Sequence, residues 1–379
     1  MNKKEQRKVN HGGDWSGFLK KRGHMPLDFS ANVSPLGMPP SAFKAIESLS
    51  VSDLARYPDP ECRALRLAIA GRYGIRDDQI FCANGAADII YRLAYSLSPK
   101  RAVLAAPDFG EYAEALTNVG ADITYYMTRE MQSASDDKGK QMNFAVDRRI
   151  LSYINRNTDL VIFSSPNNPS GCVTDTAVLH SVLDKCIECG ALLVIDECFL
   201  DFLPDARERT MLSYLGKSDG KLLVLRAFTK FYGMAGLRLG WCASDDPDLL
   251  ENLRRSGPPW QVSTAAQAAG AAALTDTAYE EELRSLTAGE RLYMQEALRS
   301  RGFLVIPSRT NYIMFYSEDH ELHEELLEHG IMIRDCSDYP GLSAGWYRVA
   351  VRTREENEIL LSHLPLRRYK AKQTGMRFI

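Results

Sequence analysis

The chain repeats one unit: a short apolar run, then a helical pattern, with a glycine or a turn between them. Apolar runs of four residues stand at 80–83, 102–105, 123–126, 160–163, 192–195, 222–225 and 239–242. Helical patterns fill most of the gaps, at 86–97, 109–119 and 176–189, and the last two stop at Gly120 and Gly190. Glycine just past a helix is the expected stop, because it enters the left-handed region without a Cβ clash. Strands apolar along their whole length and separated by helices predict a mostly parallel sheet buried on both faces, an α/β fold. Ligands collect at the carboxyl ends of such strands. The residues just after each run are therefore the candidates for chemistry.

Past residue 286 the rhythm changes. A helical stretch at 278–301, stopped by Gly302, leads to apolar runs at 303–306 and 312–315 and a helix at 322–328. Further runs at 331–333 and 346–351 precede a last helix near 355–363. This α+β pattern predicts a smaller second domain, made of 1–39 and 286–379, beside a large one at 40–285. The polar stretch 128–143 is expected to be an exposed loop. Basic clusters at Lys3, Lys4, Arg7 and Lys8 and at Arg367, Arg368, Lys370 and Lys372 read as solvated tails.

Composition excludes more than it assigns. With 46 Lys+Arg and 49 Asp+Glu the net charge is 46 − 49 = −3, and 45% of residues are hydrophobic. A disordered chain would be less apolar and more unbalanced, and a nucleic-acid binder would be basic. The first ten residues are polar and basic without an apolar stretch, and no run reaches the ~20 residues of a membrane span, so a cytoplasmic protein is expected. The eight cysteines fall mostly in apolar or helical segments of a long chain, unlike a disulfide framework. No metal site is expected. His320-Glu-Leu-His323 has one residue too few between Glu and the second His for a zinc protease, and Cys186-Ile-Glu-Cys189 lacks a second pair.

Four features at strand ends carry chemistry. Asn84-Gly85-Ala86-Ala87 follows the run 80–83 and opens a helix, where small residues leave backbone N–H groups open to a phosphate. The rigid turn Ser165-Pro-Asn-Asn168-Pro-Ser-Gly171 presents amides that can donate to an aromatic oxygen. Asp196 ends the most apolar strand, where a carboxylate is costly unless a cation or strong donor meets it. Lys230 lies just past another apolar strand, among glycines and eight residues before Arg238, a setting that favours a nucleophilic amine. Taken singly, these read as two ordinary turns, a salt bridge to arginine and a surface lysine.

One cofactor, pyridoxal 5'-phosphate, answers all four demands: a lysine, an anion for its ring nitrogen, a donor for its ring oxygen and a phosphate cup. The pattern resembles the fold-type I enzymes of the class I/II aminotransferase superfamily from residue 11 to about 363, most specifically in Thr229-Lys230 followed by Gly236-Leu237-Arg238. That resemblance implies a large domain with a central, mostly parallel sheet flanked by helices and a smaller α+β domain. It makes Lys230 the Schiff-base lysine and Asp196 the partner of the pyridinium, with Asn168 donating to the ring oxygen and Phe109 stacked on the ring. Gly85, Ala86, Thr229 and Arg238 surround the phosphate, joined by Tyr57 of the partner subunit, because the family's active sites lie at a homodimer interface.

Within the superfamily the chain is most similar to the histidinol-phosphate aminotransferase group, and there to threonine-phosphate decarboxylases of cobalamin synthesis. The segments 11–14 (His-Gly-Gly-Asp), 27–37, 333–336 and 347–353 carry that narrower likeness. It implies that His11, Gly12, Asn32, Asn168, Arg334 and Arg348 bind a phosphorylated amino acid. A substrate with both carboxylate and phosphate needs two strong cationic donors, and arginine offers a fork to each. Which arginine meets which anion stays open. Many aminotransferases of the superfamily carry Tyr three residues after the Asp; here that position is Phe199, which favours the decarboxylase branch. The implied reaction is decarboxylation of O-phospho-L-threonine or O-phospho-L-serine to an amino-alcohol phosphate. The alternative is a histidinol-phosphate-type aminotransferase, and a non-enzymatic protein that kept the fold is the reading from another class.

Overall fold

The structure, a computed structural model, describes residues 12–128, 130–132 and 141–366. In chain order its strands are β1 (Leu27–Asp28), β2 (Ile80–Ala83), β3 (Arg101–Ala106), β4 (Asp122–Met127), β5 (Glu130–Gln132), β6 (Gln141–Asn143), β7 (Leu160–Ser164) and β8 (Leu192–Asp196). There follow β9 (Leu222–Ala227), β10 (Gly240–Ala243), β11 (Leu304–Val305), β12 (Tyr312–Tyr316), β13 (Ile331–Met332), β14 (Arg334–Asp335) and β15 (Trp346–Ala350).

Seven of them form the central sheet in the order β2-β10-β9-β8-β7-β3-β4. The ladders from β4 through β3, β7 and β8 to β9 are parallel, and β10 runs antiparallel to both its neighbours. β7, β8, β9, β10 and β2 are buried at every residue, as strands covered by helices on both faces must be. The covering helices obey local rules. Asp175 caps Thr176–Cys189 by accepting the Ala177 N–H, and Gly190 stops it at φ +78°. The segment 228–239 between β9 and β10 forms no crossover helix, so the chain turns back antiparallel.

A second core lies under the antiparallel sheet β11-β12-β15-β14, and β1 joins β13 in parallel beside it. The helix Thr277–Ser300 serves both cores: Tyr279 and Leu283 pack into the first, Met294 and Leu298 into the second. The boundary expected at 285/286 thus falls inside one continuous helix.

The stretch 128–143 differs from a plain exposed loop. Residues 129 and 133–140 lie outside the described residues, but β5 and β6 pair antiparallel, Thr128 is buried, and Met142 packs in a small cluster with Phe144, Cys172 and Trp346. An apolar side chain two residues before Phe144 pulls the returning strand inward. All eight cysteines are free, and seven are buried as apolar strand, helix or turn residues. Among the described residues no helix is long and apolar enough to cross a membrane.

Candidate active site

A cavity of about 410 Å³ opens where the carboxyl ends of the central strands face the antiparallel sheet. Asp196, the last residue of β8, lies in its wall. Its Oδ2 accepts from the Tyr112 hydroxyl at 2.6 Å and its Oδ1 from the Cys198 N–H at 2.8 Å. Burial pushes the carboxyl above its ordinary range, while these two donors and the nearby Lys230 hold it down.

Lys230 follows β9 after a short turn and reaches the same cavity. Desolvation, then the charges of Arg348 and Arg238, lower its ammonium from 10.5 to about 8, against opposing pulls from Cys198 and Asp196. An amine so placed is neutral far more often than a surface lysine.

Beyond Lys230 the cavity meets the N-terminus of the helix Ala86–Leu97, which has no side-chain cap. Ala86, Ala87, Thr229 and Arg238 line this end, with Gly85 just behind them. Gly85 has φ +90°, and a Cβ there would stand 3.0 Å from Arg238 Nη2; a Cβ on Gly240 would come within 2.4 Å of the Ala86 nitrogen. Both glycines let the strand, the helix end and the arginine converge on one small volume. Free N–H groups, a helix dipole and a guanidinium there suit a phosphate.

The middle of the cavity is lined by Phe109, Ser164, Asn168 and Phe199. Phe199 stands edge-to-face on Tyr312 with centroids 4.9 Å apart and offers no hydroxyl. Asn168 accepts from Arg348 Nη1 through Oδ1. Because arginine can only donate, this fixes the amide and turns its NH2 elsewhere.

The far wall comes from the antiparallel sheet, where Arg334 on β14 sits opposite Arg348 on β15. Arg348 is buried, donates to the Ser30 carbonyl at 2.9 Å, and keeps a buried Nε without a protein partner. Arg334 donates from Nη2 to both oxygens of Asp338, at 2.8 and 2.7 Å, and lies over the Tyr339 ring. Asn32 is buried in the same wall, with Oδ1 unpartnered. Gly12 also lines it; a Cβ there would stand 2.2 Å from the Ser30 oxygen, and the Gly13 N–H donates to Ser30 Oγ at 2.8 Å.

Of the residues expected from the sequence, Gly12, Asn32, Ala86, Phe109, Asn168, Asp196, Thr229, Lys230, Arg238, Arg334 and Arg348 therefore line one cavity. Tyr57 is not among them: it is 78% exposed and stacks on Trp260 at 4.5 Å. His11 lies outside the described residues, as do both basic tails. The four cations Lys230, Arg238, Arg334 and Arg348 do share the cleft, but Asp338 already meets Arg334. The sequence reading missed Tyr112, Ser164, Cys198 and Tyr339. Only Tyr112 left a signal, an aromatic three residues after Phe109 at the start of a helical pattern.

The residues present fit pyridoxal phosphate: a phosphate cup at an uncapped helix end, a buried amine, and a buried carboxylate with two hydrogen-bond donors and no arginine partner among the described residues. The orphaned polar atoms of Asn32 and Arg348 mark the space beyond as made for a polar ligand. The family model described as aminotransferase class I and II matches residues 25–364, and the chain belongs to that family of pyridoxal-phosphate-dependent enzymes. Its relatives narrow the field. It is 34% identical to a threonine-phosphate decarboxylase of Salmonella typhimurium over 360 residues, 93% of this chain and 95% of that one. An adenosylcobalamin biosynthesis bifunctional protein of Leptospira interrogans is 29% identical over 360 residues, 93% of this chain but 40% of that protein. The crystal structure of the histidinol-phosphate aminotransferase from Clostridium acetobutylicum superposes with a TM-score of 0.80 at 27% identity, covering 89% of this chain and 97% of that one.

Proposed function

We propose that this enzyme decarboxylates a phosphorylated α-amino acid, O-phospho-L-threonine or O-phospho-L-serine, to an amino-alcohol phosphate used in building the cobalamin side chain. The observation that carries a doubly anionic substrate is the pair of arginines that face each other across β14 and β15 in the cavity wall. Arg348 donates to Asn168 and lies near enough to Lys230 to depress it, whereas Arg334 is held by Asp338. Arg348 therefore takes the carboxylate on the reacting carbon, and Arg334 takes the distal phosphate. The absence of a hydroxyl at Phe199 and the 34% identity to the Salmonella decarboxylase support decarboxylation over transamination.

When bound, pyridoxal phosphate supplies an electron sink for the bond that breaks at the substrate α-carbon. Ala86, Ala87, Thr229 and Arg238 would hold its phosphate, with Gly85 shaping the cup. Asp196 would accept from its ring N–H, Asn168 would donate to its ring oxygen, and Phe109 would cover one face. Tyr57 of the partner subunit completes the phosphate site in a homodimer. The helices Pro40–Glu47, Val51–Leu54 and Arg63–Tyr73 all contact the helix Thr264–Ala273, and they expose Phe43, Val51, Leu54 and Leu67, a surface suited to a second copy.

Arg348, tied to Asn168 and to the Ser30 carbonyl, orients the substrate carboxylate as a rigid fork. Gly12, Asn32 and Arg334 line the end of the cavity that would take the phosphate, and His11, outside the described residues, is proposed to bind it with them. Lys230 gives its proton to the α-carbon after CO2 leaves. Its lowered pKa lets it hold or release that proton near neutrality.

The test is direct. Enzyme with pyridoxal phosphate is incubated separately with O-phosphothreonine, O-phosphoserine and histidinol phosphate, and CO2 and keto products are assayed together. The proposal expects CO2 from one or both phosphoamino acids and no keto acid. The likeness to the Clostridium aminotransferase supports a second reading. That reading expects glutamate formed from 2-oxoglutarate and histidinol phosphate without CO2.

A further inference from the structure

We infer that Asp108 is a positioning residue of the cofactor site, its single buried carboxylate tying the chain that carries Phe109 to the turn that carries Asn168. The inference rests on the placement of Phe109 and Asn168 about the cofactor proposed above. Asp108 is 5% exposed, just past β3. Its Oδ1 accepts from the Phe109 N–H at 2.8 Å and from the Ser164 hydroxyl, and its Oδ2 accepts from the Ser164 N–H at 2.8 Å. Ser164 Oγ in turn accepts the Asn168 N–H at 3.1 Å, and Asn168 accepts from Arg348. One path of hydrogen bonds thus runs from the Phe109 backbone through Asp108, Ser164 and Asn168 to Arg348.

The chemistry of this knot is one-sided. The N–H groups of Phe109 and Ser164 can only donate and sit on opposite oxygens, and the Ser164 hydroxyl donates as well, an arrangement that favours the ionised carboxylate. Burial works against that charge, with a smaller push from Asp196, and raises the group to about 7; the three donors hold it down. A mere space-filler here would be apolar, because a buried charge is kept at a cost. What the cost secures is geometric: the backbone of Phe109 and that of Asn168 are held in fixed relation. A second tie, Asn167 Nδ2 to the Pro107 carbonyl at 3.0 Å, braces the same two segments without reaching either cavity-lining residue.

Asp108→Asn tests the inference with nearly the same shape. Phe109 N–H and Ser164 N–H sit on opposite oxygens, so an amide must set its NH2 against a donor whichever way it turns. We expect its affinity for pyridoxal phosphate, titrated by the visible absorbance of the lysine-bound cofactor, to fall about tenfold or more. The pH at which that absorbance changes should move by roughly half a unit or more. Ser164→Ala cuts the path to Asn168 but spares Phe109. It should raise KM for the amino-acid substrate more than it weakens cofactor binding, and the double variant should lose little beyond Asp108→Asn alone.

A folded Asp108→Asn enzyme with wild-type affinity and wild-type absorbance titration overturns the inference. So does one that loses only thermal stability. Should Asp108→Asn fail to fold, Ser164→Ala decides alone, and unchanged KM and cofactor affinity overturn it. Lys230→Ala is the control. Persistence of the lysine-bound absorbance there sinks the site assignment itself, and this inference with it; its loss leaves a negative Asp108 result as evidence against Asp108 alone.

Discussion

Asp196 and Glu197 are neighbours at the end of one strand, yet their surroundings differ completely. Glu197, wholly buried, accepts from Arg226 at 2.8 Å, from the Thr210 hydroxyl at 2.7 Å and from the Met211 N–H at 2.7 Å. Arg226 also reaches Asp201 at 2.8 Å. Asp196 has two donors and a wall of the cavity, and its cationic neighbour Lys230 is itself desolvated rather than paired. In the sequence both acids stand side by side at the end of one apolar run, where a carboxylate is costly. The arginine salt bridge that would have explained Asp196 away went to Glu197 instead. A buried charge with its partners matched locks the fold, and one left open on a cavity is kept for a ligand.

That contrast can be broken, most severely at Lys230. Lys230→Ala should abolish covalent capture of the cofactor and lower turnover by roughly a thousandfold or more; retained lysine-bound absorbance would show that another amine serves. Next, Glu197→Ala should cost the apo-protein about 3–5 kcal/mol in denaturant unfolding, because Arg226 would lose a buried partner. Asp196→Ala should instead leave apo stability nearly unchanged while cofactor affinity collapses. The reverse pattern would mean the two acids have been assigned the wrong roles.

Arg348→Ala sharpens the comparison at the substrate end. Truncating a buried, hydrogen-bonded charge costs about 2–5 kcal/mol, roughly thirtyfold or more in substrate affinity, with much less loss of cofactor affinity. Equal loss of both, by parallel titrations, would remove Arg348 from substrate recognition. The gentlest probe is pH. Lys230 is lowered from 10.5 to about 8, and only the neutral amine attacks an aldehyde. The rate of cofactor capture by the apo-enzyme should therefore rise with pH and level off above about 8; in stopped-flow, a rise continuing toward 10 would contradict the depressed lysine.

The proposed cofactor end of the cavity was legible because its groups stand at the ends of long buried strands. Apolar runs located β7, β8 and β9 to within a residue or two, and Asn168, Asp196 and Lys230 followed from their ends. The substrate end was legible only through resemblance. β1, β13 and β14 are two residues long, too short to show any periodicity, and β1 pairs with β13 across some three hundred residues of chain. The antiparallel turn of β10 was hidden too, since a four-residue apolar run has no direction. Arg334 and Asp338, four residues apart, look like any surface pair until the fold sets them in the cavity wall. Asp108 gave no sign either, because its donors come from backbone and from Ser164, fifty-six residues away.

The central claim is that this pocket aligns the carboxylate, not the α-hydrogen, for cleavage. Running the reaction with O-phosphothreonine in D2O and following it by NMR tests that most directly. The account predicts one CO2 per substrate and an amino-alcohol phosphate carrying a single deuteron on the former α-carbon, with no keto acid. A keto acid formed in step with glutamate from added 2-oxoglutarate, and no CO2, would contradict it.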